Sequence, residues 1–109
     1  MNVILFLEVD FVKGRGKEAD ILSPEFKVAA EIFRFEKKGE KVWFTKLERS
    51  LGMPSSTLSR ALRRLFDSGI VKAEFGETET GRAGRLLYIA GESRDVIEKI
   101  YERFWKDRE

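Results

Sequence analysis

Seven residues of one short stretch carry hydroxyl or guanidinium groups: Ser55, Ser56, Thr57, Ser59, Arg60, Arg63 and Arg64. None of them is an activated nucleophile by itself, and the chain holds no histidine and no cysteine. What they can do is bind. A guanidinium donates two parallel hydrogen bonds to guanine O6 and N7, while hydroxyls reach phosphate oxygens or base edges. Arg60 and Arg63 suit base edges, the four hydroxyls suit phosphates or adaptable edges, and Arg64, Lys46 and Arg49 suit clamps on a phosphate backbone. The charge distribution agrees with this chemistry. Net charge is only +2, and residues 1–44 carry eight basic and eight acidic side chains. The tail from Glu92 carries five basic and six acidic ones. Between Thr45 and Lys72, however, six cations (Lys46, Arg49, Arg60, Arg63, Arg64, Lys72) face two acids, Glu48 and Asp67. Phosphate neutralisation with counterion release needs such a local excess rather than a high overall charge.

Other chemistry is largely closed. Without cysteine or histidine, zinc fingers, thiol redox switches, cysteine nucleophiles, histidine pH sensors and Ser-His-Asp arrangements are impossible within one chain. An enzyme would need an acidic metal cluster on a concave surface, and the acids here are scattered among basic residues. The expectation is a protein that is not an enzyme and takes no cofactor or metal.

The elements around these residues predict how they are positioned. Thr45 as N-cap with Glu48 three residues on forms a capping box that starts a first helix, with Leu47 and Leu51 facing inward. Gly52 permits the positive φ of a tight turn, and Pro54 suits the start of a second helix over 55–68. Leu58, Ala61, Leu62 and Leu65 recur at helical spacing and define its inward stripe. Ser56, Ser59, Arg60 and Arg63 fall on the opposite face, flanked by Arg64 and Thr57. This is a helix-turn-helix, the commonest device for placing a helix in the DNA major groove. Gly69 ends the second helix, residues 70–75 read as a strand, 76–84 as a loop and 85–90 as the returning strand. Arg82 and Arg85 on this hairpin suit a phosphate or the minor groove. Glu74, Glu77 and Glu79 oppose such a contact, so a purely structural hairpin is the equal alternative.

The stretch LGMPSSTLSRALRRLFDSGIV, residues 51–71, resembles the turn, recognition helix and exit into the first wing strand of winged-helix transcription regulators of the MarR, ArsR and IclR kind. The resemblance covers about 23–90. It implies a winged helix-turn-helix fold and sequence-specific binding to double-stranded DNA, most simply as a repressor that occludes a promoter. Glu48 departs from the pattern, since such helices often carry a small residue there; the capping box offers a reason.

The flanks complete the picture. Residues 2–12 predict a strand, with a short helix as the alternative, and 13–20 a polar loop whose Gly14-Arg15-Gly16-Lys17 run lacks the Walker pattern. Ser23, Pro24 and Glu25 open a helix expected to reach Lys38 and stop at Gly39. Its apolar residues form two stripes, Phe26, Ala29, Ala30, Phe33 and Val28, Ile32, Phe35, whereas a surface helix needs one. The second stripe must meet the N-terminal strand, the C-terminal helix or another subunit. Residues 42–44 predict a short strand. Ser93 is placed to cap a last helix in which Val96, Ile97, Ile100, Tyr101, Phe104 and Trp105 form a broad apolar face. That face either packs on the first helix or mediates a homodimer through the N-terminal strand, first helix and C-terminal helix. Trp43, Tyr88, Tyr101 and Trp105 are core candidates that could instead line an effector pocket.

At 109 residues the chain is expected to be one domain, large enough for a single core without staples. It divides into an N-terminal strand and loop (1–22), a winged-helix core (23–90) and a C-terminal helix (91–109). The fold class is α+β, mainly α, with a small antiparallel β-wing. No apolar run approaches the roughly 20 residues that span a bilayer, and no cationic leader or cleavage site surrounds residues 3–7, so no membrane partner and a cytoplasmic location are expected. Glutamine is absent and asparagine occurs once, at Asn2, against abundant Lys, Arg and Glu, which resembles hyperthermophile usage. The alternative function is a winged-helix module for protein or RNA partners, since fold alone does not settle function.

Overall fold

The central element, α1 (Pro24–Lys37), starts where the Ser23 side chain accepts from the Phe26 backbone N–H at 3.3 Å and Pro24 occupies the first turn. This is the start that Ser23, Pro24 and Glu25 predict. The computed structural model describes residues 21–78 and 80–108; the expected strand over 2–12, the polar loop over 13–20 and Glu79 lie outside them. Among the described residues four α-helices and one two-stranded sheet follow in order. They are α1, α2 (Phe44–Leu51), α3 (Ser55–Asp67), β1 (Val71–Glu77), β2 (Ala83–Ile89) and α4 (Arg94–Ile100).

The two stripes of α1 explain its position. Val28, Ala29, Ala30, Ile32, Phe33 and Phe35 are all buried, so the helix is enclosed on both sides. It packs against α3, α2, β2, α4 and the segment that continues α4. Leu58, Ala61, Leu62 and Leu65 of α3, Leu47 of α2, Leu87 and Ile89 of β2, and Ile97, Tyr101 and Trp105 complete one cluster. Phe33 of the first stripe meets the C-terminal helix of its own chain, while Phe35 of the second lies under Lys46 of α2. The Phe33 and Tyr101 rings lie 5.3 Å apart at 58°, within the tilted range favoured by aromatic quadrupoles.

Helix ends follow backbone chemistry closely. At the end of α1 Glu40 N–H bonds Phe35 O and Gly39 N–H bonds Glu36 O; at the end of α3 Ile70 N–H bonds Leu65 O and Gly69 N–H bonds Phe66 O. Both are Schellman closures, and Gly69 at φ 79° turns the chain directly into β1. The sheet pairs antiparallel from Val71↔Ile89 to Glu77↔Ala83, two residues further toward its tip than either strand was expected to reach.

Three local expectations fail. Helix α2 begins at Phe44, with Trp43 as an N-cap that offers no side-chain bond, so Thr45 lies inside the helix and caps nothing. Among the described residues the expected strand over 42–44 reduces to one bond, Leu87 N–H to Val42 O at 2.8 Å, because Phe44 has already turned helical. Ser93 likewise makes no side-chain cap, since a 3-10 turn, Gly91–Ser93, leads straight into α4.

Beyond α4 the helix widens into a π-helical stretch, Tyr101–Trp105, and ends in a 3-10 turn, Lys106–Arg108. In an α-helix a four-residue step overshoots one turn, whereas in a wider π turn it falls short. The two drifts offset, keeping Ile97, Tyr101 and Trp105 on one line into the core.

Candidate nucleic-acid interface

The link between α2 and α3 rests on two residues. Gly52 closes α2 at φ 64°, a left-handed conformation that costs a residue with Cβ about 1–2 kcal/mol, and its N–H bonds Glu48 O at 3.0 Å. Pro54 then stands at the N-cap of α3, where its carbonyl accepts from Leu58 N–H. Glu48, whose expected task was the capping box, instead accepts a hydrogen bond from the Ser55 hydroxyl. A carboxylate at this position thus ties the end of α2 to the first residue of α3, which a small residue could not do.

With Leu58, Ala61, Leu62 and Leu65 inward, the outer face of α3 carries Ser55, Ser56, Ser59, Arg60, Arg63 and Arg64, all exposed, with Thr57 half-buried at its edge. The structure brings these together on one surface. Arg64 reaches back to Glu25 at 3.0 Å. The Glu25 carboxyl lies below its ordinary range, chiefly through a backbone hydrogen bond and with help from Ser23 and Arg64.

The remaining cations are arranged less uniformly. Arg49 is exposed on α2. Lys46 is held in place: its Nζ donates to Lys41 O at 2.8 Å, pairs with Glu40 at 3.0 Å and sits 4.7 Å over the Phe35 ring. In the wing Arg82 is exposed at the tip, its carbonyl accepting from Thr78 N–H at 2.8 Å. Arg85 lies on β2 with its guanidinium 5.3 Å over the Phe66 ring of α3. Between α3 and the wing runs a groove of about 360 Å³, with Ser59, Arg63, Asp67 and Arg85 at its edges over an apolar floor that includes Leu62 and Phe66. The acids Glu74 and Glu77 are exposed on β1, and so is Phe75, at 83% of its full surface.

Sequence reasoning missed two carboxylates. Glu36 accepts from Ile89 N–H at 2.8 Å and from Arg94, joining α1 to the end of β2 and the start of α4. Glu31 is fully buried, and it accepts from Arg34 at 3.0 and 2.7 Å, from the Ser50 hydroxyl, and from the Trp105 indole N–H at 2.8 Å. Burial alone would push this carboxyl up, but the bonds from Arg34, Ser50 and Trp105 outweigh it and leave the group below its ordinary range. The available signal was a single acid inside the apolar run Val28 to Phe33. Tyr101 and Trp105 are core residues rather than pocket lining. Among the described residues no cluster of acids could hold a metal ion, and no helix is long and apolar enough to cross a membrane.

A buried first helix, a glycine-closed helix-turn-helix and a two-stranded hairpin packed beside its second helix define the winged helix-turn-helix fold. Solved structures of bacterial and archaeal regulators share it. A MepR variant from a multidrug-resistant S. aureus clinical isolate matches with a TM-score of 0.64 at 9% identity, over 99% of this chain and 78% of that one. Wild-type apo MarR from E. coli matches at 0.59 and 21% identity, over 98% and 78%. A possible transcriptional regulator from Methanosarcina mazei matches at 0.52 and 19%, over 84% and 75%. At such identities the likeness is one of fold, and it is the MarR-like winged-helix fold that the sequence resemblance implies. No protein-family model matches the sequence, and no curated protein does.

Proposed function

We propose that this protein is a sequence-specific, double-stranded DNA-binding transcription regulator that acts as a homodimeric repressor inside the cell. The observation that carries the reading is the outer face of α3, where Ser56, Ser59, Arg60 and Arg63 stand exposed together while the opposite face fills the core. Arg60 and Arg63 read base edges in the major groove, and Ser55, Ser56, Thr57 and Ser59 bond phosphates or edges near the helix start. Arg49 clamps the backbone; Arg64 and Lys46 do so only by exchanging Glu25 and Glu40 for phosphate. Arg82 and Arg85 contribute from the wing. Two copies, joined through the N-terminal segment and the outward side of the C-terminal helix, read two halves of a pseudo-palindrome, which combines two weak half-site affinities. Because α1 is enclosed by its own chain, it supports that interface from beneath.

Fluorescence anisotropy with a random duplex and with a duplex from the protein's own upstream region, at two salt concentrations, tests this. Tighter binding to the upstream duplex with a steep salt slope is expected. No binding to either duplex at low salt overturns it. The second reading, a module for protein or RNA partners, draws on the wing, where exposed Phe75 lies between Glu74 and Glu77 on β1. Capture of a partner that covers Phe75, without DNA affinity, favours that reading.

A further inference from the structure

The buried Glu31 carboxylate links three separate parts of the chain. Its Oε1 takes the Arg34 Nε at 3.0 Å and the Trp105 indole N–H at 2.8 Å. Its Oε2 takes the Arg34 Nη2 at 2.7 Å and the Ser50 hydroxyl. A carboxylate offers about four lone-pair sites, and here each oxygen serves two donors. Arg34 grips both oxygens and so fixes the plane of the group. Ser50, in the last turn of α2 and two residues before Gly52, and Trp105, at the end of the π-helical stretch, then sit on opposite oxygens of one rigid plate.

Such a group is a poor way to gain stability, because desolvating a charge cancels most of the attraction, and apolar residues of similar volume do as well. What a saturated polar network does supply is a single arrangement, since withdrawing any donor leaves a buried lone pair unsatisfied. The π-helical widening points the same way. It is the local departure that keeps Trp105 in line with Ile97 and Tyr101 and so brings its indole to Glu31.

Resting on the DNA-binding reading above, we propose that Trp105 and Glu31 are positioning residues for the recognition unit. Seating of the C-terminal indole on Glu31 sets, through Ser50, how firmly α2 and its turn hold α3. Any partner or ligand that shifts the C-terminal segment then alters DNA binding without touching the DNA-facing surface.

The test uses the full chain and the variants Trp105→Phe, which keeps an aromatic ring but loses the N–H, and Ser50→Ala, which removes the donor at the other oxygen. Amide hydrogen exchange is followed across residues 44–54, with the amides of Leu86 and Tyr88, paired with Glu74 and Lys72 across the sheet, as internal reference, alongside anisotropy with duplex DNA. Trp105→Phe is expected to speed exchange in 44–54 relative to the reference, and to weaken duplex binding by about tenfold. Ser50→Ala should do the same, and the double variant should add little, as for two members of one network. Faster exchange confined to 97–108, or a uniform rise that includes the reference amides, overturns the coupling, for Trp105 would then be only a core residue. If the wild-type chain binds no duplex, the DNA reading fails by itself, and the exchange comparison still decides whether Trp105 controls α2.

Discussion

Helix α3 and the wing lie side by side and are built on opposite plans. In α3 every large apolar residue but one faces inward, and the outer face holds only hydroxyls and guanidinium groups until Asp67. Phe66, the exception, is half-buried beneath Arg85. The wing has no such division. Its inner end is core, with Val71 paired to Ile89 and Ala73 to Leu87, but further out Phe75 is exposed opposite Arg85, with acids on either side. A helix has a face available for a polyanion throughout its length, whereas a two-stranded ribbon beyond its core contacts has solvent on both sides. On the proposed DNA-binding reading, affinity and stability are separable in α3, where they would occupy different faces, and are segregated along the length of the wing instead.

The sharpest way to break this contrast is to cut the inner face of α3. Leu58 is fully buried, so Leu58→Ala should destabilise the fold by about 2–5 kcal/mol in chemical denaturation. Truncating a wing residue near the tip should not approach that. On the outer face, Arg63→Ala is expected to leave the denaturation midpoint almost unchanged while weakening specific duplex binding by about 1–3 kcal/mol and relaxing base preference. Equal losses on specific and random duplexes would assign Arg63 to the phosphate backbone instead.

The turn offers an intermediate effect. A Cβ at Gly52 meets open space, so only its φ of 64° opposes a substitution. Gly52→Ala should cost about 1–2 kcal/mol, read as a lower denaturation midpoint, and a neutral result would show that the turn relaxes without harm. Smallest of all, Phe75→Ala at the exposed end of β1 should change stability by less than about 0.5 kcal/mol in the same assay. Arg82→Ala is expected to lower the salt slope of duplex binding by about one unit. A slope identical to wild type would leave the wing tip off the DNA.

Most of the candidate interface was legible because helix periodicity is a local property. The spacing of Leu58, Ala61, Leu62 and Leu65 decides which side of α3 is buried, and Ser56, Ser59, Arg60 and Arg63 are outward by elimination. Gly52, Pro54 and Gly69 mark their turns through φ preferences that need no partner. The capping box failed for an equally physical reason. A box requires the chain to be non-helical at Thr45, yet Phe44 is drawn into the helix as it packs against the core, and Glu48 then finds Ser55 across the turn.

What sequence by itself determined is therefore the helices and the hairpin between 23 and 90, their inward faces and the concentration of cations on one of them, since all three follow from period, turn chemistry and counting. Tertiary structure alone decided which surfaces meet. It enclosed both stripes of α1 within one chain, rested Arg85 on Phe66, and set Glu31 between Ser50 and Trp105, whose sequence positions lie 19 and 74 residues away. Such contacts join groups far apart along the chain, and no local spacing encodes them. They form because a buried charge must find every donor it needs, wherever the packed helices bring those donors together.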